Sequence, residues 1–131
     1  MEPEVRYLIL CDDVRADPNN FLRLNVFGLI THIRSTATPA FPVTRPQFCV
    51  LVMLTGCQGT GKLGLRILRA ETGKIVFRNQ PRRVRFVGSP QDAVGFAFRI
   101  QDCSFPSAGL YWVELVFDGT VLARQGLSLT T

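Results

Sequence analysis

The chain has 131 residues, of which 47% are hydrophobic, and a formal net charge of +5. This length and composition suit one folded domain, residues 1–131, and exclude an intrinsically disordered chain. No apolar run reaches the roughly 18 residues of a membrane-spanning helix, and the first residues lack the basic segment and cleavage site of a secretory signal. We therefore expect a cytoplasmic protein that has no membrane partner.

In the N-terminal two thirds, short apolar runs alternate with polar or glycine- and proline-rich connections, which predicts strands. Asp12 to Asn20 is rich in residues that favour turns, so we expect it to connect the first two strands. Gln47 to Thr55 is apolar on both faces, as is typical of a central strand that is covered twice. The predicted strands of this region are Arg6–Cys11, Leu22–Ile30, Gln47–Thr55, Gly61–Ala70, Lys74–Arg78 and Arg83–Val87.

The C-terminal third has the clearest alternation of apolar and polar residues. Two half-buried strands are predicted, with one face formed by Val94, Phe96, Phe98 and Ile100 and by Tyr111, Val113, Leu115 and Phe117. Asp118-Gly119 follows directly and favours a two-residue type I′ turn, because both residues tolerate positive φ angles. Val121 to Arg124 then supplies the returning strand of a hairpin.

About eight or nine short strands and no amphipathic helix predict an all-β, antiparallel β-sandwich, with a closed barrel as the alternative. The prolines at positions 39, 42, 46, 81, 90 and 106 are expected between strands, where a missing N–H does not interrupt a ladder. An immunoglobulin-like arrangement is favoured by Ser107-Ala108-Gly109-Leu110-Tyr111-Trp112-Val113, which resembles the tyrosine corner of that fold. Serine and valine replace the aspartate and cysteine of the motif, so no disulfide is expected at the corner.

The cysteines are expected to be buried free thiols, because they are widely spread and most lie in apolar strand-like runs. A zinc site would favour paired cysteines with histidines nearby, whereas the sequence contains His32 as its one histidine, which we interpret as a strand or turn residue. We predict no cofactor. The four cysteines are Cys11, Cys49, Cys57 and Cys103.

Gly56 to Lys62 matches the G-x-x-x-x-G-K pattern of a phosphate-binding loop and follows an apolar strand. The next residue is Leu63, so the hydroxyl that would bind magnesium is absent, and the following stretch alternates like a strand instead of a helix. Gly59 to Gly64 also matches G-x-G-x-x-G, but no acidic residue follows at the distance that would hold a ribose. A glycine-rich hairpin loop explains both patterns.

Asp12 and Asp13 could bind a hard cation or polarise a water molecule, if Asp17, Asp92 or Asp118 approached from neighbouring loops. The alternative is that they satisfy turn amides at the end of a strand. With one histidine and no nucleophile motif, the sequence shows no coherent catalytic set. We therefore expect that the domain is not an enzyme, and a metal-dependent domain or enzyme at Asp12 and Asp13 is the third hypothesis for its function.

The segment 78–85 holds the densest positive charge, and the net charge of +5 favours anionic partners. Strand alternation would place Arg83 and Arg85 on one exposed face, where guanidinium groups could bind carboxylates or phosphates. Phe77 and Phe86, which flank the segment, are expected in the core. The segment could bind an acidic protein or a nucleic acid, or protect a solvated strand edge.

The chain opens with Tyr7-Leu8-Ile9-Leu10-Cys11-Asp12-Asp13-Val14-Arg15, continues with Leu24-Asn25-Val26-Phe27-Gly28 and Phe41-Pro42, and closes with Gly109-Leu110-Tyr111 and Asp118-Gly119. In these stretches the sequence shows a resemblance to a family of small bacterial domains of unknown function. It covers nearly the whole chain and implies a β-sandwich and a bacterial source. It implies no activity.

The first functional hypothesis is a non-enzymatic protein-binding or adaptor module, with an acidic protein as one kind of partner and a homodimer as one form of the molecule. Exposed tryptophan and arginine side chains often dominate the energy of such interfaces. Nucleic-acid or other polyanion binding through residues 78–85 is the alternative. The predicted binding residues are Arg82, Arg83, Arg85 and Trp112.

Overall fold

The structure, a computed structural model, describes residues 2–131 and, at positions 21 and 22, the backbone alone. Met1 of the predicted domain lies outside the described residues. The described residues form strands and contain no helix that could cross a membrane. The strands are β1 (Glu4–Asp17), β2 (Asn20–Leu29), β3 (His32–Arg34), β4 (Val43–Thr55), β5 (Thr60–Arg69), β6 (Ile75–Arg78), β7 (Arg82–Arg85), β8 (Val94–Phe105), β9 (Gly109–Phe117) and β10 (Thr120–Thr130).

The strands form two sheets, and the predicted all-β sandwich is confirmed. Sheet A has the order β2-β1-β4-β8, and sheet B has the order β3-β10-β9-β5-β6, with β7 also paired to β5. All pairs are antiparallel except β3 with β10. The order β1-β4-β8 opposite β10-β9-β5 resembles the two sheets of an immunoglobulin domain, and β2 adds a strand outside the first of them.

Apolar side chains from the inner faces of the two sheets form the core. Strands β4, β5, β8 and β9 each alternate, so every second side chain points inward and is buried. Phe77 and Phe86 pack against this core as expected, and Phe86 lies 6.2 Å from Phe117 between ring centroids. The largest fully buried side chains include Phe48, Leu54, Leu65, Ile67, Ile100, Phe105, Tyr111, Leu115, Leu127 and Leu129.

The predicted C-terminal hairpin is confirmed in its turn and its register. Phe117 pairs with Thr120, and Asp118 and Gly119 between them have φ angles of 47° and 81°. Both positive values agree with a type I′ turn. The returning strand is longer than predicted, because β10 continues beyond Arg124 to Thr130 and pairs along nearly all of β9.

The tyrosine corner is present at the start of β9. The hydroxyl of Tyr111 donates to the carbonyl oxygen of Ser107 at 2.7 Å, and the Ser107 N–H faces the same hydroxyl oxygen at 3.4 Å. The Tyr111 ring is fully buried and packs edge-to-face with the Phe105 ring, with 5.1 Å between the two ring centroids. The corner therefore ties the β8–β9 connection to the core without the disulfide that accompanies it in antibody domains.

Four details of the predicted strands were wrong. Strand β1 does not end before Asp12 but runs to Asp17, and the turn to β2 lies at Pro18 and Asn19. Strand β3 was not predicted, so the structure has ten strands instead of eight or nine. Pro46 was expected between strands but lies inside β4. It makes no pair with β8, whereas Arg45 before it pairs with Cys103 and Gln47 after it pairs with Gln101.

The fourth correction concerns the glycine-rich segment, which connects sheet A to sheet B and is not a hairpin loop. The residues after it form β5, so the helix that a phosphate-binding loop requires is replaced by a strand. Gly61 is required by close packing, because a Cβ atom built on it would lie 2.2 Å from the Phe117 ring. The glycines thus fit a connection between sheets and do not form a phosphate cradle.

The expectation that two layers cover β4 is half correct. Its inward side chains, from Phe48 to Leu54, lie in the core between the sheets. Its other face, with Cys49, Leu51 and Met53, belongs to the outer face of sheet A. In the described residues no further strand packs on that face, but neighbouring side chains of the same sheet bury Cys49 and Leu51.

Candidate functional site

The outer face of sheet B carries most of the candidate binding residues. Leu63, Leu65 and Ile67 of β5 point into the core, so strand alternation turns Lys62, Arg66 and Leu68 outward. Their ladder partners lie on the same face, because directly paired residues of neighbouring strands point to the same side of the sheet. The face is therefore built from several strands that are remote in sequence.

This outer face is strongly basic. Among residues 2–131, the strands of sheet B contain one carboxylate, Glu114, and it lies on this outer face. We call it the basic face, and its cationic side chains are Arg34, Lys62, Arg66, Arg78, Arg83, Arg85 and Arg124.

An aromatic side chain lies at the centre of the basic face. The Arg124 guanidinium lies 4.2 Å from the centre of the Trp112 ring, a cation–π contact. Trp112 pairs with Leu68 on one side and with Gly126 on the other, so the indole is flanked by a small apolar surface. Trp112 is half-buried and remains partly open to a partner.

A small cleft lies one row away from Trp112. Arg66 donates to the Glu114 carboxylate at 2.6 Å, and Glu114 itself is only 6% exposed. The Asn79 side-chain oxygen accepts from the Leu65 N–H at 2.8 Å and fixes the far wall. The cleft has a volume of about 90 Å³ and is lined by Gly64, Leu65, Arg66, Arg78, Asn79, Pro81 and Val116.

The structure places three of the four predicted binding residues on the same face of sheet B, although not in contact with one another. Arg83 pairs with Lys62 and Arg85 pairs with Thr60, which places both arginines on the basic face with Trp112. Trp112 is beside Leu68, which lies six residues along β5 from the partner of Arg83 and eight from the partner of Arg85. At about 3.3 Å per residue, these arginines lie roughly 20 Å and roughly 26 Å from the indole.

Arg82, the fourth predicted residue, lies on the opposite side of β7. It pairs with the inward-facing Leu63, and its guanidinium lies 5.3 Å from the ring centre of Phe98 on the other sheet. Arg82 therefore covers the open edge of the core instead of joining the basic face.

Arg66 and Arg124 were not predicted as site residues, and Arg78 was predicted only as a member of the segment 78–85. The sequence did contain a signal for two of them. Arg66 and Arg78 alternate with the apolar residues of their predicted strands and should therefore point to the opposite, outer face. What the sequence could not show is that β5, β6 and β10 bring these three arginines together around Glu114 and Trp112.

Asp12 and Asp13 are both engaged by arginines. Asp12 accepts from Arg45 at 2.8 Å, whereas Asp13 accepts from Arg99 at 2.9 Å and from Arg15 at 2.8 Å. The hydrogen bonds from Arg99 and Arg15 lower the pKa of Asp13 to about 2. No group of three His, Cys, Asp or Glu side chains in the described part of the chain is placed to hold a metal ion. This arrangement does not favour the hypothesis of a cation site or a catalytic pair.

The four cysteines are buried free thiols, as predicted. Burial raises the pKa of Cys103 to about 12, and burial together with the neighbouring Cys49 raises that of Cys11 to about 11. Thiolates are the reactive form of cysteine, so these side chains are suited to packing and not to nucleophilic chemistry.

Comparison with known proteins supports the fold and identifies the family. No curated protein matches the chain. Among solved structures, the chain is similar to Pseudomonas fluorescens alkylpurine DNA glycosylase AlkC, bound to DNA containing an abasic site analogue, with a TM-score of 0.51 and 11% identity. The match covers 99% of this chain but 31% of the glycosylase, so the likeness concerns the fold of a part of that enzyme. The family model of DUF6941 matches residues 6–130, and the chain belongs to this family of unknown function.

Proposed function

We propose that this domain is a binding module that recognises an acidic segment of a partner protein through its basic face. The observation that carries the proposal is the Trp112–Arg124 stack one row away from the cleft between Arg66 and Arg78. It supports the proposal because it combines an aromatic anchor with guanidinium groups. That the domain is cytoplasmic and has no enzymatic activity stays a prediction.

Trp112 and Arg124 have the character of a binding hot spot. Tryptophan and arginine are the side chains on which binding energy most often concentrates, because each contributes a large contact area and directed polar groups. Arg124 already lies over the indole ring, so binding does not have to order two separate flexible side chains. A partner that covers the stack would exclude water from both.

The cleft favours a carboxylate as the group that is bound. The cleft is small, with a volume of about 90 Å³, which suits a group of the size of a carboxylate. Glu114 engages Arg66, whereas Arg78 has no ion-pair partner among residues 2–131. A guanidinium group without an internal partner can bind an incoming carboxylate through two parallel hydrogen bonds.

A fluorescein-labelled glutamate-rich peptide would test the proposal by fluorescence anisotropy. Arg78→Glu should weaken binding by about tenfold or more, because it replaces attraction by repulsion. Arg23→Glu is the matched control, since Arg23 is an exposed arginine of β2 in sheet A and makes the same charge change. Trp112 is the one tryptophan of the chain, so binding should also change the intrinsic fluorescence.

Equal loss of affinity in both variants would contradict the proposal, because it would show attraction by net charge instead of by the basic face. Binding without any change in Trp112 fluorescence would contradict the part assigned to the stack.

Nucleic-acid binding is the second candidate. Lys62, Arg83 and Arg85 lie on adjacent strands with no carboxylate ion-paired to them in the described residues, an arrangement that suits a phosphate backbone. The fold is similar to part of a glycosylase solved with DNA, which is a reason to test the same ligand class. Arg83→Glu/Arg85→Glu should then abolish binding of a labelled oligothymidylate, and the affinity should fall steeply with salt.

The two candidates are separated by the variants. An acidic protein segment held at the cleft predicts that Arg78→Glu is more damaging than Arg83→Glu/Arg85→Glu. Phosphate-backbone binding predicts the reverse.

A further inference from the structure

The cleft on the basic face lies where one edge of sheet B is interrupted. Strand β5 pairs with β7 over residues 60–63 and with β6 over residues 66–68, and residues 79–81 connect β6 to β7 across the gap. Asn79 takes the place of a ladder partner there. Its N–H donates to the Leu65 carbonyl oxygen at 3.2 Å, and its side-chain oxygen accepts from the Leu65 N–H at 2.8 Å. Hydrogen bonds to the main chain of β5 thus fix one wall of the cleft.

Gly64 keeps the cleft open. It lies on the outer face of β5, between the inward-facing Leu63 and Leu65, and pairs with Val116 of β9. A Cβ atom built on Gly64 would lie 3.1 Å from the Asn79 side-chain oxygen and 3.3 Å from Cγ of Pro81, which is closer than ordinary van der Waals contact. A side chain at this position would therefore fill the cleft. Beside Gly64 the lining is apolar, because Val116 and the Pro81 ring form it.

Cationic side chains at the rim of the cleft outnumber the carboxylates. One row of directly paired residues crosses the basic face over β6, β5, β9 and β10, and its members are Arg78, Arg66, Glu114 and Arg124. Like charges directly opposite each other, as in Arg66 and Arg78, repel, and Glu114 already engages Arg66. The Arg78 guanidinium and the NH2 group of the Asn79 side chain have no acceptor within residues 2–131. The rim therefore offers donors from two residues to one further carboxylate.

An apolar floor beneath a cationic rim fits the last residue of a chain. In a C-terminal residue the carboxylate and the side chain leave the same Cα atom, so the carboxylate can meet Arg78 and Asn79 while a small side chain covers the floor. A glutamate side chain brings its carboxylate alone, and burying that charge against apolar atoms costs free energy. A cleft of about 90 Å³ leaves room beside the carboxylate for a small side chain such as that of alanine.

We propose that the acidic partner segment ends at the cleft, where the domain binds the free C-terminal carboxylate of a chain whose last residue is small. The proposal rests on the function proposed above and names the part of the partner that the cleft takes. Capture of a terminal carboxylate is a recurring mode of peptide recognition. The residues before the end would follow β5 to the Trp112–Arg124 stack, because Trp112 pairs with Leu68, four positions or roughly 13 Å from Gly64 at about 3.3 Å per residue.

Fluorescence anisotropy with a pair of peptides tests the proposal. Both peptides are short and glutamate-rich, carry the label at the N-terminus and end in alanine, and they differ only in a free or an amidated C-terminus. The free form should bind about tenfold more tightly, because amidation removes the charge that Arg78 and Asn79 bind. An amidated peptide with one further internal glutamate restores the net charge, and it should still bind about as weakly as the first amidated peptide.

Two substitutions in the cleft should remove this preference. Asn79→Asp keeps an oxygen for the Leu65 N–H but replaces the NH2 donor by a second carboxylate oxygen, and Gly64→Ala fills the cleft. In both variants the free and the amidated peptide should bind within about twofold of each other. Asn25→Asp is the matched control and should keep the preference of the wild type, because Asn25 is a partly exposed asparagine, as Asn79 is, but lies in β2 of sheet A.

Equal binding of the free peptide and either amidated peptide to the wild type would overturn the proposal but leave an acidic partner at the basic face. Binding of none of the peptides would overturn both proposals. A preference that persists in Asn79→Asp would also count against the cleft, because the terminal carboxylate would then be bound elsewhere. If Gly64→Ala does not fold, a peptide that ends in tryptophan replaces that test, and binding as tight as that of the alanine peptide would contradict the limit that the cleft sets.

Discussion

Tyr111→Phe isolates one hydroxyl group whose partners are fully described. The Tyr111 hydroxyl donates to the Ser107 carbonyl oxygen at 2.7 Å, and the ring around it is completely buried. The substitution keeps the ring and its contact with Phe105 but leaves the carbonyl without this donor. A lost hydrogen bond costs about 1 kcal/mol and an unsatisfied buried acceptor about 1–3 kcal/mol, so we expect a loss of about 1–3 kcal/mol in the free energy of unfolding.

Urea unfolding followed by Trp112 fluorescence measures this loss. The thermal midpoint should fall as well, by about 3–5 °C for each kcal/mol in a domain of this size. Tyr7→Phe is the control, because Tyr7 is the other tyrosine of the chain, is 39% exposed and has no hydrogen bond from its hydroxyl group among the described residues.

Tyr7→Phe should change the free energy of unfolding by less than about 0.5 kcal/mol. If Tyr111→Phe proved as stable as Tyr7→Phe, the corner would not hold the β8–β9 connection, and the reasoning from its geometry would be refuted. A changed dependence on urea in either variant would also count against it, since neither alters the surface that unfolding exposes.

Two further substitutions test other parts of the structure. Gly61→Ala should destabilise the fold by about 1–3 kcal/mol, because its Cβ atom would clash with the Phe117 ring, whereas in Gly95→Ala the nearest atom lies at 3.4 Å and the change should be small. Chemical unfolding compares the two, and equal stability would contradict the close packing at Gly61. Asp13→Asn should remove part of the acid sensitivity of the fold. The pKa of Asp13 lies near 2 in the folded state, below its ordinary value of 3.8, so the stabilisation by its ion pairs is complete above about pH 4 and is lost as the pH falls towards 2. Melting temperatures from pH 2 to pH 6 should therefore differ most between wild type and variant at the upper end, and a constant difference would contradict the assignment.

The C-terminal third could be predicted from sequence because local signals agree there. The alternation of Phe96, Phe98 and Ile100 has one phase, and Asp118-Gly119 fixes the register of the next hairpin without help from distant residues. Local propensity, pattern and turn chemistry indicate the same structure, which is the condition under which sequence reasoning succeeds.

Strands β1 and β3 show why the remainder could not be predicted. Asp12 and Asp13 have the composition of a turn, but Arg45 and Arg99 from other strands bind their carboxylates and allow β1 to continue. Strand β3 has three residues and no pattern of its own, and it exists because β10 pairs with it in parallel. In both cases the deciding partner is distant in sequence.

The candidate site follows the same division. Alternation was sufficient to place Arg83 and Arg85 on one exposed face. The same alternation turns Arg82 to the other side of β7, and what the sequence could not show is that its guanidinium there lies over Phe98 of the other sheet. The grouping of Arg66, Arg78 and Arg124 depends on strand order, which the sequence does not contain in any local form.

The pairing of β3 with β10 affects when the domain can fold during synthesis. Ser128, Leu129 and Thr130 are made long after His32 to Arg34, yet they hold that short strand in sheet B. The ribosome releases residues 32–34 long before their partner strand exists, because paired residues such as His32 and Ser128 are 96 positions apart in the sequence. Because most contacts of the domain join residues that are distant in sequence, we expect folding to take milliseconds to seconds and to be completed after, not during, translation of this domain.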